Sequence, residues 1–296
     1  MDSAPPQDAP KSNSRVRAYY ELTKPGIAGY VMITAGVSAF VGSRGTIDLV
    51  TALHTMLGTG MATAGALSLN QFVERDVDAV MHRTRGRPLP SGRLAPMEAL
   101  AFGAMLMMVG LTYLATAVGT LPAALAAASA VVYHGVYTPL KTRSYVATLT
   151  GAVPGALPML IGWSAVTGTV DAGGLAMFAI GYLWQLPHVL GLAWMLKEDY
   201  ERVGFRLIPE GGRRTIGLHM VLAIVLLVPL SWAPTRLGFT GMIYAAGATL
   251  IGLVWVGTAI RASRDLTPVT ARKVFFGSLL YHPVLLGLML FDTIRL

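Results

Sequence analysis

Long apolar runs separated by short polar stretches dominate this chain, and nine of them fall at 25–43, 49–69, 96–118, 121–139, 145–167, 174–195, 216–233, 238–260 and 274–292. About 20 apolar residues in a helix cross a hydrocarbon core of about 30 Å, so each run predicts one membrane span. Gly and Pro inside "GAVPGALPMLIG" (151–162) would break a helix in water. In lipid, neighbouring helices satisfy the freed backbone groups, so kinks are expected there instead. Residues 1–20 lack such a run, and Asp2 and Asp8 sit among Pro, Ser and Gln. They have neither the apolar centre of a signal peptide nor the Arg-rich character of a transit peptide, which predicts a disordered cytosolic tail before a single domain at 21–296. The fold class is an all-α integral membrane protein with nine transmembrane helices.

Composition agrees, because 54% hydrophobic and only 13% charged residues exceed what a soluble core of 296 residues hides from water. The absence of cysteine excludes disulfides and thiolate metal sites. With the N-terminus placed in the cytosol, 20 of the 23 Lys and Arg residues fall in cytosolic segments, leaving only Arg44, Arg236 and Arg295 outside. That asymmetry predicts nine spans with the N-terminus in and the C-terminus out. The net charge of +8 is then an orientation signal rather than a nucleic-acid footprint, since it is spread over short loops.

One stretch departs from this pattern: "NQFVERDVDAVMHRTRGRPLP" (70–90) puts an amide, three acids and four arginines where the second span ends. If the helix continues, Asn70, Glu74 and Asp78 drift by only about 80° over two turns and share one face, with Asp76 opposite. Two carboxylates and an amide suit Mg²⁺, which takes one or two carboxylates and completes its shell with water and phosphate oxygens. The arginines behind them would neutralise such a phosphate. A second acidic stretch, "LKEDYERVGFRLIPE" (196–210), emerges on the same side, so Asp199, with Glu198 beside it, is expected to face Glu74 and Asp78 across the mouth. Lys141 and Arg143 lie on that side too.

The run Asn70-x3-Glu74-x3-Asp78 resembles the first acidic motif of the UbiA superfamily of intramembrane prenyltransferases, and "YTPLK" resembles its Y-x3-K motif at Tyr137 and Lys141. "ELTKP" (21–25), "RDVDAVMHRT" (75–84), "WQLPH" (184–188) and "KEDYERVGF" (197–205) are similar to the protohaem IX farnesyltransferases of that superfamily. The resemblance implies a nine-helix bundle with its site open to the cytosol, and transfer of farnesyl from farnesyl diphosphate to a vinyl of haem B, with water added, to give haem O. By position, Asn70, Glu74 and Asp78 would hold one Mg²⁺, and Asp199, with Glu198 beside it, would hold or orient a second. Lys24, Arg83, Arg87, Lys141, Arg143 and Lys197 would contact diphosphate, and Tyr137 would lie near the allylic carbon. Two departures stand out: Glu74 replaces the usual Asp, and Val203 stands four residues after Asp199, where aromatic-substrate members carry a second Asp. The implied setting is a prokaryotic plasma membrane, with a downstream haem-oxidising enzyme as a possible partner.

Histidine placement bears on haem separately. His188 precedes Asp199 by eleven residues, hence about 20° around and about 16 Å along a continuous helix. His282 reaches a similar depth from the ninth run. Intramembrane ionisable groups point to function, and neutral imidazole is a usual axial ligand for haem iron. His188 is the favoured ligand, with His282, His134 and Trp184 as further haem contacts; for Trp184 and Trp194, packing or an interfacial belt is the alternative role. Other readings are a UbiA-type enzyme with another aromatic or tetrapyrrole acceptor, a non-catalytic haem-holding factor, and a transporter using the acidic mouth as a cation site.

Overall fold

In the computed structural model, which describes residues 12–295, every regular element is helical, and the only β-type pairing among those residues is one antiparallel bridge between Thr240 and Thr293. The long helices are α2 (Pro25–Gly42), α3 (Leu49–Val73), α5 (Pro96–Ala117), α6 (Thr120–Val131), α8 (Val146–Thr167), α9 (Ala172–Met195), α11 (Gly212–Leu230), α13 (Met242–Arg264) and α14 (Pro268–Phe291). Short helices join them: α1 (Ser12–Leu22), α4 (Arg75–Val80), α7 (Thr138–Leu140), α10 (Lys197–Arg202) and α12 (Ala233–Arg236). A π-helical turn, Val132–Tyr137, links α6 to α7.

Among the described residues, eight segments are long and apolar enough to cross a membrane: α2, the continuous stretch Thr120–Leu140, α5, α8, α9, Gly212–Arg236, α13 and α14. Helix α3 has the length, 25 residues, but its apolar run is diluted by Thr51, Thr55, Thr59, Thr63, Ser68, Asn70 and Gln71. Three of these hydroxyls donate one turn back along the helix, Thr55 to Thr51 O (2.8 Å), Thr59 to Thr55 O (2.7 Å) and Ser68 to Ala64 O (2.8 Å), so they need no water.

The internal prolines are accommodated without ending a helix. Pro158 cannot donate to Pro154 O in α8, and Ser129 Oγ on α6 donates to that carbonyl instead (3.2 Å). Small residues let backbones meet. A Cβ on Gly110 of α5 would lie 2.3 Å from Ala62 N of α3, and one on Gly65 of α3 would lie 2.4 Å from Met107 N. Helices α2 and α8 meet likewise, where Ser38 Oγ donates to Met159 O (2.6 Å). In lipid, close packing of this kind replaces the hydrophobic drive between helices.

The expected disordered tail at 1–20 needs correction over its second half; residues 1–11 lie outside the described residues. From Ser12 the chain is helical, because Ala18 and Leu22 are fully buried against Leu89, Leu94 and Ala99. Ser68 Oγ (3.3 Å) and Gln71 Nε2 (2.8 Å) donate to Leu22 O, and Arg93 pairs with Glu21 (2.6 Å). Helix α1 thus lies across the bundle end where α3 finishes and α5 begins.

The α3–α5 contact yields a direct test. Gly110→Ala forces two backbones apart and is expected to destabilise the protein by about 1–3 kcal/mol, read as a lowered unfolding midpoint in detergent. Gly257→Ala on α13, where an added Cβ meets nothing within 4 Å, is expected to leave the midpoint unchanged.

Candidate active site

Helix α3 ends at Val73, and Glu74 leaves the helical region (φ −95°, ψ 9°) before α4 resumes, so the expected continuous helix carries a break at Glu74. The one-face stripe survives it, because Glu74 N–H donates to Asn70 O (2.9 Å) and Asp78 N–H to Glu74 O (2.7 Å). Asn70, Glu74 and Asp78 are all buried, whereas the Asp76 side chain is 85% exposed. They form one wall of a cavity of about 600 Å³ at this end of the bundle. Lys24, Arg83, Arg87, Tyr137 and Lys141 also line it.

Each of the two carboxylates already holds a cation. Lys141 Nζ donates to Glu74 Oε1, with both side chains nearly out of solvent. Arg87 Nη1 donates to both oxygens of Asp78 (2.7 and 2.6 Å). Burial opposes ionisation of Glu74, but the charge and hydrogen bond of Lys141 and the Asn70 amide (2.8 Å) outweigh it and hold the carboxyl below its usual range. Burial likewise disfavours charge on Lys141, and its neighbours Tyr137 and Glu74 hold it protonated, above its ordinary value.

Lys141 owes its position to the π-helical turn. Pro139 has no N–H and would crowd the carbonyl of Gly135, and the chain before it widens so that Thr138 N–H donates to Tyr133 O. The result brings Tyr133, Tyr137 and Lys141 onto the cavity wall together. The Lys141 ammonium lies 4.4 Å from the Tyr137 ring and 5.6 Å from Phe205. Arg206 N–H donates to Lys141 O (2.6 Å), tying the loop after α10 to this residue.

Lys24 occupies the turn between α1 and α2 in a left-handed conformation (φ 47°) that a side chain rarely adopts. Its ammonium makes no ion pair among the described residues. Burial, then repulsion from Arg87, opposed by Glu74 and Asp78, lowers its pKa to about 7.

Asp199 departs from expectation. It does not line the cavity: Oδ1 accepts His82 N–H and Oδ2 accepts Arg83 N–H (3.2 Å each), with Arg202 at 3.6 Å. The next residue, Tyr200, takes the inward direction instead. Glu198, Arg143 and Lys197 are exposed and away from the cavity, Lys197 pairing with Glu201 (3.4 Å). Trp194 lies under Lys197 and Arg213, an interfacial arrangement. Residues missed from sequence were Tyr133, Tyr200, Phe205 and Gln71. Tyr133 could have been found, since 133, 137 and 141 repeat at one-turn spacing.

None of the four proposed haem contacts lines this cavity. His188, Trp184 and His282 stack between α9 and α14, Trp184 lying 5.4 Å from His188 and 4.2 Å from His282. His282 is 1% exposed, with Nδ1 bonded to the Tyr30 hydroxyl and Nε2 without a partner. His134 also has an unpartnered buried Nε2. The Ser278 hydroxyl donates to Phe275 O (2.5 Å), so it accepts from His188 Nδ1–H (2.8 Å), which leaves the lone pair on Nε2. His188 lies one turn deeper on α9 than Leu192, which lines the cavity.

The stripe fits a hard divalent cation. Asn70 Oδ1 receives only a long contact from Thr138 (3.4 Å), whose hydroxyl is already used on Tyr133 O (2.8 Å), so this oxygen is free to ligate. No group of three or more His, Asp or Glu suited to a metal occurs among the described residues. Mg²⁺ tolerates that, because it usually keeps waters and substrate phosphate oxygens in its shell.

Residues 31–280 match the UbiA prenyltransferase family. The chain belongs to the UbiA prenyltransferase family. Among its UbiA relatives is the protoheme IX farnesyltransferase of Solibacter usitatus, 41% identical over 94% of this chain and 99% of that protein. Those of Anaeromyxobacter dehalogenans (40%, covering 96% of each chain) and Aquifex aeolicus (36%, covering 95% and 96%) are similar throughout as well. The UbiA fold is also seen in solved structures. They include a digeranylgeranylglyceryl phosphate synthase (TM-score 0.79, 18% identity, covering 95% of this chain and 99% of that one) and a UbiA homologue from Archaeoglobus fulgidus bound to GPP and Mg²⁺ (TM-score 0.63, 14%, covering 92% and 99%). This UbiA member is a prenyltransferase.

Lys24 gives the site a pH dependence. Its folded value near 7 lies below its ordinary 10.5, so between the two the unfolded chain holds more protons and stability rises with pH. Anion binding needs the charged form. Affinity for farnesyl thiodiphosphate, measured by calorimetry, is therefore expected to fall as pH rises through about 7, and Lys24→Arg is expected to flatten the curve.

Proposed function

We propose that the protein transfers the farnesyl group of farnesyl diphosphate to a vinyl group of haem B, with addition of water, to give haem O. The observation that carries the reaction type is the pair of buried carboxylate–cation contacts, Glu74–Lys141 and Asp78–Arg87, on the wall of one cavity. The substrates follow from relatives named protoheme IX farnesyltransferase that match over nearly the whole chain.

Both pairs are exchange partners for an Mg²⁺–diphosphate unit. Asn70, Glu74 and Asp78 would hold the metal, while Lys141 and Arg87, joined by Lys24 and Arg83, would hold the phosphate oxygens. Every buried charge keeps an opposite partner through the exchange, which avoids the several kcal/mol that an unpaired buried ion costs. When bound, Mg²⁺ stabilises the negative charge that grows on the departing diphosphate. The C1–O bond of farnesyl diphosphate breaks with its electron pair leaving on the diphosphate. C1 then bonds to the outer carbon of the haem vinyl, and the inner carbon, left positive beside the ring, takes up water and releases a proton. As Lys141 swings to phosphate, the Tyr137 and Phe205 faces it occupied become free to face the positive C1, a contribution of about 1–2 kcal/mol each in a dry site.

His188 Nε2 would face the iron of a haem bound one turn deeper; the hydrogen bond from Nδ1–H to Ser278 supports that assignment. His282, His134 and Trp184 shape the surroundings of this haem. Helix α3 completes nine spans. The basic end, with the cavity, faces the cytosol, the C-terminus lies outside, and the membrane is a prokaryotic plasma membrane. A downstream haem-oxidising enzyme receives the product.

Incubation of the purified protein with haem B, farnesyl diphosphate and Mg²⁺, followed by mass spectrometry of the extracted haem, is expected to show a species heavier by one farnesyl group and one hydroxyl; unchanged haem B with intact substrate would refute the reading. Asp78→Asn is expected to lower kcat/KM about 10²–10³-fold. His188→Ala is expected to lose the Soret shift on haem titration while farnesyl diphosphate still binds.

A further inference from the structure

We infer that this site holds one divalent cation, on the wall formed by α3 and α4, and that Asp199 is a positioning residue for the loop at 81–88 and not a ligand to a second ion. The inference rests on the proposed Mg²⁺–diphosphate reading and refines it. Asp199 does not line the cavity: its two oxygens accept His82 N–H and Arg83 N–H, at 3.2 Å each, on the loop that follows α4. A carboxylate so held is oriented by the backbone and stays charged, because the two amides outweigh the cost of its burial.

The wall that a second ion would need is made of other chemistry. Leu192 on α9, Tyr200 on α10, and Phe205 and Leu207 on the following loop face the cavity, and no carboxylate stands among them. Glu198 is exposed, and Glu201, exposed as well, pairs with Lys197 (3.4 Å). The cavity is therefore one-sided: its acids are Glu74 and Asp78 at the end of α3 and on α4, with Glu21 of α1 paired to Arg17 and Arg93, and aromatic and aliphatic carbon stands opposite. The polar side suits the metal and diphosphate, and the carbon side suits a prenyl chain and an allylic cation.

Asp199 acts through the loop instead. That loop carries Arg83 and Arg87, which line the cavity, and it is tied at its other side by Thr84 Oγ1 to Asp78 O (2.8 Å). With His82 and Arg83 clipped to Asp199, Arg87 is held where it meets Asp78. Loss of the clip frees two phosphate-binding cations without touching a metal ligand.

The test counts bound Mn²⁺ by electron paramagnetic resonance on the full chain in detergent, saturated with farnesyl thiodiphosphate. One Mn²⁺ per chain is expected, kept in Asp199→Asn and lost in Asp78→Asn. Asp199→Asn is expected to raise KM for farnesyl diphosphate about tenfold with a smaller change in kcat, and to speed tryptic cleavage in the 83–87 loop. Two ions in the unmodified chain, one of them missing in Asp199→Asn, would overturn the inference and leave the proposed reaction standing. No Mn²⁺ at all would overturn both. The count in the unmodified chain decides the matter even where the variant fails to fold.

Discussion

A carboxylate removed from water inside an apolar bundle must have a cation or a metal beside it, and the architecture of this site follows from that requirement. Glu74 and Asp78 sit out of solvent at the end of α3 and on α4, and Lys141 and Arg87 reach them from separate segments. An isolated ion at either place would cost several kcal/mol, so the pairs form together with the fold. In the proposed reaction, each member of a pair is also a partner for half of a metal diphosphate. The resting protein stores the binding groups as each other's counterions.

The helices position these groups through small residues and proline chemistry. Glycines 65, 103 and 110 bring α3 and α5 to backbone contact, which fixes where the stripe of Asn70, Glu74 and Asp78 emerges. Pro139 widens the chain before it into a π-helical turn and directs Tyr133, Tyr137 and Lys141 at that stripe. Helix α1 closes the end from above through Leu22 and Glu21, and its turn into α2 delivers Lys24.

Spans and stripe were legible in the sequence because each depends on local spacing alone. Twenty apolar residues can do little but cross lipid as a helix, and residues at four-residue steps share a face whatever surrounds them. The polar content of α3 keeps it out of the eight apolar spans, and three of its hydroxyls are satisfied within the helix. The direction of Asp199 was not legible, since a one-residue rotation on α10 exchanges it for Tyr200 and only the backbone amides of a distant loop decide which turns inward. Helix α1 was missed for a similar reason: Ala18 and Leu22 become core only because Leu89, Leu94 and Ala99 cover them. The grouping of His188 and His282 around Trp184 was not legible, because it depends on how α2, α9 and α14 pack, which no spacing encodes.

A double-mutant cycle on Glu74 and Lys141 tests the exchange of ion pairs. Chemical unfolding of the parent, Glu74→Gln, Lys141→Met and the double variant gives their coupling energy, first without ligands and then saturated with Mg²⁺ and farnesyl thiodiphosphate. Exchange of partners predicts a coupling of about 2–3 kcal/mol in the free protein that collapses toward zero in the loaded one, where each residue has a new partner. Equal coupling in both states would contradict it.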